Sequence, residues 1–274
     1  MSGNRGQGER RKRRDRPGGG SVRRPLSAYR DPSQRLVYVA TEGAKTERDY
    51  IILLNHAYGE EKKFHLHFCK HHDNNGLRPV EVVERVLADA DRHEEKWALF
   101  DRDSGDKTPE EIREAMHLAA KHGVHVALSH PSFELWLLLH FKQHTSPENG
   151  MSTTVLGRLR SHPEADGFAD YDTQSGDRGK GLGGPRGRSL LGRERTAVRN
   201  ARKLVALCPH PSGGCSAKGL TVERIPGPRS ETKETYEEWN RRTGHAATCD
   251  PVRRDPSADV WRLLVSLGIG TDET

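Results

Sequence analysis

The sequence predicts an α/β fold: a mostly parallel sheet of about four strands flanked by helices, with a helical C-terminal extension and a disordered basic N-terminal tail. Short apolar runs without polar alternation recur along residues 35–141, and such runs suit strands buried on both faces. Segments with helical spacing of apolar residues separate them, and parallel strands joined by right-handed crossovers connect that alternation economically. Charge is uneven. Residues 1–35 carry 11 Lys/Arg and 3 Asp/Glu, 11 − 3 = +8, while the chain as a whole is +6, so the rest sums to 6 − 8 = −2.

Residues 1–34 are Arg/Gly/Pro-rich and lack periodicity, which predicts a disordered tail. Its charge suits either a polyanion such as nucleic acid or a solubilising leader. From Arg35, "RLVYVAT" reads as a buried strand. In "EGAKTERDYIILLNHAY", Tyr50, Ile51, Leu54 and Ala57 share a helical face. "FHLHFC" alternates as a short strand, and "KHHDNNG", with His71 and His72, reads as a polar loop. "VEVVERVLADADRH" carries a stripe of Val80, Val83, Val86, Leu87 and Ala90. "KWALFD" is the next strand. The following helix is signposted by Thr108 as N-cap, Pro109 at its first position, Glu111 closing a capping box and Gly123 at its end. "VHVALS" is a strand and "PSFELWLLLHF" a helix whose Phe133 and Trp136 belong to the core.

The domain expectation is a tail at 1–34, a core at 35–145, and an extension at 146–274 with a polar insertion at 208–252. "SGDRGKGLGGPRGRSLLGR" reads as a mobile loop, and it lacks the spacing of a phosphate-binding P-loop. "RERTAVRNARKLVAL" reads as a helix. So does "DPSADVWRLLVSLG", capped by Asp255 with Pro256 in its first turn. No stretch approaches the ~18 apolar residues of a membrane span, and no signal peptide is evident. Cys69, Cys208, Cys215 and Cys249 are too few for a disulfide scaffold, which leaves a cytoplasmic location as the expectation.

In an open α/β sheet, ligands bind beyond the carboxyl ends of the strands. Glu42 follows the first strand, Asp101-Arg102-Asp103 ends the third, and Glu134 lies just beyond the fourth. Packing does not need carboxylates there, and like charges repel unless a cation sits among them. Hard oxygen donors without a nearby His/Cys set suit Mg²⁺ or Mn²⁺. "FDRDS" therefore reads as a metal anchor. As capping and turn chemistry a lone D-x-D would need no metal; its joint placement with Glu42 favours the metal.

"YVATEGAKTERDY", "WALFDRDS" and "SHPSFELWLLLHF" closely resemble the RloB-like family. The likeness covers about residues 35–145 and recurs more weakly near "AVRNARKL" and "DPSADVWRLL"; His130 stands where the family usually has Asn. The resemblance implies a Toprim-like fold, related to the nuclease domain of OLD-family proteins, with Glu42, Asp101 and Asp103 coordinating Mg²⁺ for phosphoryl transfer. It implies Glu47 and Glu134 as candidates for a second metal. It also implies bacterial anti-phage defence and a neighbouring ATPase partner.

On that reading the protein is a Mg²⁺-dependent nuclease acting on RNA or DNA. Lys45 would neutralise the scissile phosphate, and Arg102, Lys180, Arg186 and Arg188 would hold nucleic acid. The chain could also be a homo-oligomer. The competing reading is a non-catalytic adaptor that binds nucleic acid or an ATPase. A haloacid-dehalogenase phosphatase would place its D-x-D after the first strand and leave "EGAKTE" without a role. Separately, "CPHPSGGC" and "HAATC" supply Cys208, His210, Cys215, His245 and Cys249, four of which could hold a structural zinc; Cys208, His210, Cys215 and Cys249 are the first choice.

Overall fold

A computed structural model describes residues 33–69, 76–91, 94–103, 105–174, 179–209, 214–218 and 234–271. Residues 1–32, His71, His72 and His210 lie outside the described residues, and with them the expectations of a disordered tail and a polar histidine loop. Ser33–Thr274 forms one compact unit.

The sheet has five strands: β1 (Arg35–Thr41), β2 (Phe64–Phe68), β3 (Glu95–Asp101), β4 (His125–His130) and β5 (Ser257–Ala258), in the order β2-β1-β3-β4-β5. The first four are parallel, and β5 runs antiparallel to β4. Side chains alternate across the pleat. Val37, Val39, Trp97, Leu99 and Ala127 face one core, with α1 (Thr46–Tyr58), α4 (Phe133–Leu139), α7 (Glu194–Leu204) and α9 (Val260–Ser266). Leu36, Tyr38, Ala40, Ala98, Phe100, Val126 and Leu128 face the other, with α2 (Pro79–Asp89) and α3 (Pro109–His122). Helices on both faces are why the strands read as unbroken apolar runs. Phe133 and Trp136 are buried, as the core reading requires.

Local chemistry sets the helix ends. Thr108 Oγ1 accepts from Glu111 N at 3.3 Å, and Glu111 Oε2 accepts from Thr108 N at 2.8 Å. Gly123 closes α3 at φ +66°, a conformation that costs glycine nothing sterically. Ala57 departs from its expected place on the inner face of α1 and is exposed.

The largest departures lie beyond residue 145. Asp255 does not cap the last helix. Its carboxylate accepts the backbone N–H groups of Glu148 and Gly150 at 3.1 and 3.2 Å, Ser257 and Ala258 pair with His130 and Ser129, and α9 starts only at Val260. The sheet thereby gains its fifth strand. The described part of the Gly/Arg-rich segment is built rather than a mobile loop. It contains α6 (Pro185–Leu190) and buries Leu182 and Leu190. Two further helices, α5 (Thr153–Arg160) and α8 (Tyr236–Arg242), complete the unit. Asn200 of α7 donates through Nδ2 to the Leu139 carbonyl at 2.9 Å, which ties α7 to α4.

Leu99 is almost wholly buried in β3. Leu99→Ala is expected to cost about 2–5 kcal/mol. Removing the exposed cap with Thr108→Ala should cost only about 1 kcal/mol. Urea unfolding monitored by circular dichroism would measure both, and equal midpoints for the two variants would contradict the packing described.

Candidate active site at the acidic edge of the sheet

The carboxyl ends of β1, β3 and β4 are laced together by hydrogen bonds that also aim the acidic side chains. Glu42 N donates to the Leu99 carbonyl at 2.9 Å, and Arg102 N to that of Ser129 at 2.8 Å. Asp101 N donates to Glu42 Oε2 at 3.1 Å. The carboxylate of Asp101 in turn accepts, through Oδ2, from Phe133 N at 2.9 Å, where α4 begins. Asp101 thus bridges β1, its own strand and α4.

Glu47 joins from the first turn of α1, where Oε1 accepts from Gly43 N at 3.2 Å. A Cβ on Gly43 would collide with that carboxylate, so the glycine after Glu42 is what allows Glu47 to fold back. Glu134 accepts through Oε1 from the Tyr171 hydroxyl at 2.8 Å. That hydroxyl also lies 2.8 Å from Thr46 Oγ1, which donates to the Lys180 carbonyl at 3.0 Å.

These carboxylates act on one another. Burial pushes Asp101 well above the usual carboxylate range, and Glu42 and Glu47 push it further. Burial raises Glu47 to about 7, with Glu42 and Glu134 adding to the effect. Burial also raises Glu42, against the pull of Lys107. Lys107, almost fully buried, places Nζ 2.7 Å from Glu42 Oε1. Burial works to lower Lys107, yet Glu42 and Asp101 outweigh it and hold the ammonium above its ordinary value. Lys180 behaves alike, with Glu134 and Asp172 overcoming burial. Fully ionised, Glu42, Glu47, Asp101 and Glu134 against Lys107 and Lys180 would carry −4 + 2 = −2, and the raised values of Glu42, Glu47 and Asp101 are the resistance of the site to that state. Like charges gathered away from water are costly unless a further cation joins them.

The remaining candidates stand elsewhere. Asp103 Oδ1 accepts from Gly105 N at 3.0 Å, and its carbonyl accepts from the Asp106 and Lys107 amides. Asp103 therefore shapes the turn that delivers Lys107. Among the described residues, no three of these acidic side chains bring oxygens within 4.8 Å of one another, so the edge is an open arrangement rather than a closed cage. Lys45 is half-buried and pairs with Asp49 at 2.9 Å. The guanidinium of Arg102 is buried and donates to the Lys107 carbonyl at 2.7 Å, away from any surface a nucleic acid could reach. Arg186 is also turned inward. It donates to the carbonyls of Gly167, Gly179 and Gly181 and lies over the Tyr171 ring. Arg188 is exposed.

Lys107, Thr46 and Tyr171 are the residues that sequence reasoning passed over. Lys107 precedes a capping box and looks like a solvated helix-start lysine. Tyr171 stands in a polar stretch with no periodicity. Thr46 carried a faint signal, lying between Lys45 and Glu47 in "EGAKTE".

A mostly parallel sheet with half-buried and buried carboxyl groups beyond its strand ends defines an α/β protein with a candidate ligand site at the carboxyl edge. Within that class, the sequence model of the RloB-like protein family matches residues 37–221, and this chain belongs to that family. The match covers 221 − 37 + 1 = 185 residues and runs well past the motifs and beyond the end of α7. Neither the curated proteins nor the solved structures gave a match.

A carboxylate with a raised folded-state pKa binds more protons in the folded than in the unfolded protein, so stability falls as pH rises between the two values. For Glu47 that window runs from about 4.3, its unfolded value, to about 7. Without added divalent cation, the protein is expected to lose on the order of 3 kcal/mol from this group across the window. Chelator-treated protein melted from pH 4.5 to 7.5 tests it. Glu47→Gln should flatten the profile, and an unchanged slope would refute the coupling.

Proposed function

We propose that the protein is a metal-dependent nuclease that hydrolyses phosphodiester bonds of RNA or DNA, acting in the bacterial cytoplasm in defence against phage. The observation that carries this reading is the gathering of four carboxyl groups, Glu42, Glu47, Asp101 and Glu134, at the carboxyl edge of the sheet, where burial and mutual repulsion oppose ionisation until a cation joins them. Hard oxygen donors in an open arrangement suit Mg²⁺, which commonly takes one or two carboxylates and completes its shell with water and substrate phosphate. Glu42 and Asp101 would hold Mg²⁺ or Mn²⁺, with Glu47 and Glu134 as further donors, while Asp103 shapes the turn that delivers Lys107. When bound, the ion supplies Lewis-acid polarisation of the phosphate and acidifies a water. The arrangement supports kinship with Toprim-like nuclease domains.

The protein's own groups do the positioning. Phe133 N and the Tyr171 hydroxyl fix one oxygen each of Asp101 and Glu134, leaving the second oxygens for a ligand. Lys180 stands partly exposed beside Glu134 and would meet the phosphate backbone, with Lys45, Arg188 and the basic tail adding salt-sensitive, sequence-indifferent attraction. A separately encoded ATPase, or a second copy of this chain, is the partner this reading expects.

The Lys107–Glu42 pair at 2.7 Å supports a second reading. A fixed ammonium can stand in for a metal, and the chain would then be an adaptor that binds nucleic acid or an ATPase without cutting.

Full-length protein, with and without a neighbouring ATPase, incubated with plasmid, single-stranded DNA and total tRNA in Mg²⁺ or Mn²⁺ separates the readings. The nuclease reading expects metal-dependent cleavage of at least one substrate. Asp101→Ala should lose on the order of 100-fold or more, as expected when an electrostatic contact to the reacting group is removed. Arg188→Ala should weaken binding modestly and lower its salt dependence. Absence of both cleavage and Mg²⁺ binding would leave the adaptor.

A further inference from the structure

A second, chemically different site lies at the base of the polar insertion. Cys208 follows the 3₁₀ turn Val205–Leu207 at the end of α7, Cys215 follows within the same segment, and His245 and Cys249 come after α8. Their ligand atoms all lie within 4.8 Å of one another. His245 Nδ1 is 3.6 Å from Cys208 Sγ and 3.7 Å from Cys249 Sγ. A tetrahedral zinc with Zn–S of about 2.3 Å and Zn–N of about 2.0 Å sets neighbouring ligands roughly 3.5–3.8 Å apart. None of the four cysteines of the chain is in a disulfide.

Two observations point to an ion rather than to a chance gathering of thiols. Ala246 N donates to Cys215 Sγ at 3.2 Å, the kind of backbone support that steadies a metal-bound thiolate. Beside the cluster, Arg254 is fully buried, and no carboxylate among the described residues pairs with it. Its Nη2 donates to Asn240 Oδ1 at 2.7 Å and reaches the Cys249 carbonyl at 3.4 Å, while Nε and Nη1 have no partner. A buried guanidinium without a counter-ion is expensive. Three zinc-bound thiolates supply one, since +2 − 3 = −1.

We propose that Cys208, Cys215, His245 and Cys249 form a structural Cys₃His zinc site whose net negative charge neutralises Arg254. His245 takes the place that the sequence reading gave to His210. Thiolate and imidazole donors in a closed tetrahedral set select zinc over the hard cations suited to the acidic edge. The ion clips the two ends of the insertion together, where Ser216 N already donates to the Gly244 carbonyl at 2.8 Å. It also ties them to the core, because Arg262 of α9 donates to the Thr243 carbonyl and Arg202 of α7 to that of Ala217 at 2.8 Å.

The test is elemental analysis of full-length protein purified under reducing conditions without chelator, beside cobalt substitution. About one tightly held zinc per chain is expected. Cobalt-loaded protein should show the intense visible bands of a tetrahedral site and a thiolate charge-transfer band. Cys249→Ser and His245→Ala should lose most of the metal, whereas Cys69→Ser and Asp101→Ala should keep it. Should the first two variants fail to fold, the cobalt spectrum of the wild type still decides. Zinc-free wild type that gains no thermal stability from added zinc, a Cys208–Cys249 disulfide in place of metal, or zinc lost with Asp101→Ala but kept in Cys249→Ser would each overturn the proposal. Metal content is read independently of cleavage, so failure of the nuclease reading leaves this result intact.

Discussion

The placing of a half-buried carboxyl group, Asp101, at the end of β3 is the constraint on which the acidic edge depends. Its strand is covered by helices on both faces, so the chain can place a carboxylate there only by satisfying it. Its amide donates to Glu42 and one of its oxygens accepts from Phe133 N, so β1, β3 and α4 are fastened at one residue. Asp101 shares its alternation with Trp97 and Leu99, which points all three toward the core of α1 and α4. A carboxyl group in that row ties the three elements together, while burial, Glu42 and Glu47 hold it well above the usual carboxylate range.

The surrounding structure carries the cost of that choice. Gly43 leaves room for Glu47 to turn back on the loop, and Lys107 is drawn almost out of solvent to face Glu42. Arg186 gathers the carbonyls of Gly167, Gly179 and Gly181, which sets the polypeptide carrying Lys180 against the first turn of α1. Leu182 N completes that wall by donating to Asp49, the partner of Lys45. The glycines near residue 180 let backbone approach backbone. A Cβ at Gly181 would press on the Lys45 side chain at 3.1 Å.

The fold was legible because local and global signals agreed over residues 35–141. Unbroken apolar runs meant strands covered on both faces, and the Thr108–Glu111 cap and Gly123 fixed α3 to the residue. Glu42, Asp101 and Glu134 were legible because strand ends can be read in order. What escaped depends on contacts distant in sequence. Lys107 is defined by Glu42, Tyr171 by Glu134, and β5 by its pairing with β4, and none of these leaves a periodic trace. Arg102 and Arg186 show the converse: an arginine in a polar stretch reads as a surface cation, whereas here backbone carbonyls claim both guanidiniums. In the insertion, two short Cys/His strings gave the donor types, but the choice of His245 over His210 needed the return of the chain after α8.

Ligand softness keeps the two proposed metal sites from competing. The sheet edge offers carboxylate oxygens in an open arrangement that leaves room for water and phosphate; the insertion offers three sulfurs and an imidazole, a set that fills a tetrahedral shell. The sites still share a mechanical element. Cys208 lies just beyond the end of α7, Asn200 within α7 holds the Leu139 carbonyl at the end of α4, and Glu134 stands in the first turn of α4. A zinc that fixes Cys208 therefore fixes the C-terminal end of the helix that braces α4. That casts the soft site as an anchor for the scaffold and leaves chemistry to the hard one, the division expected where a closed coordination shell has no open position for substrate.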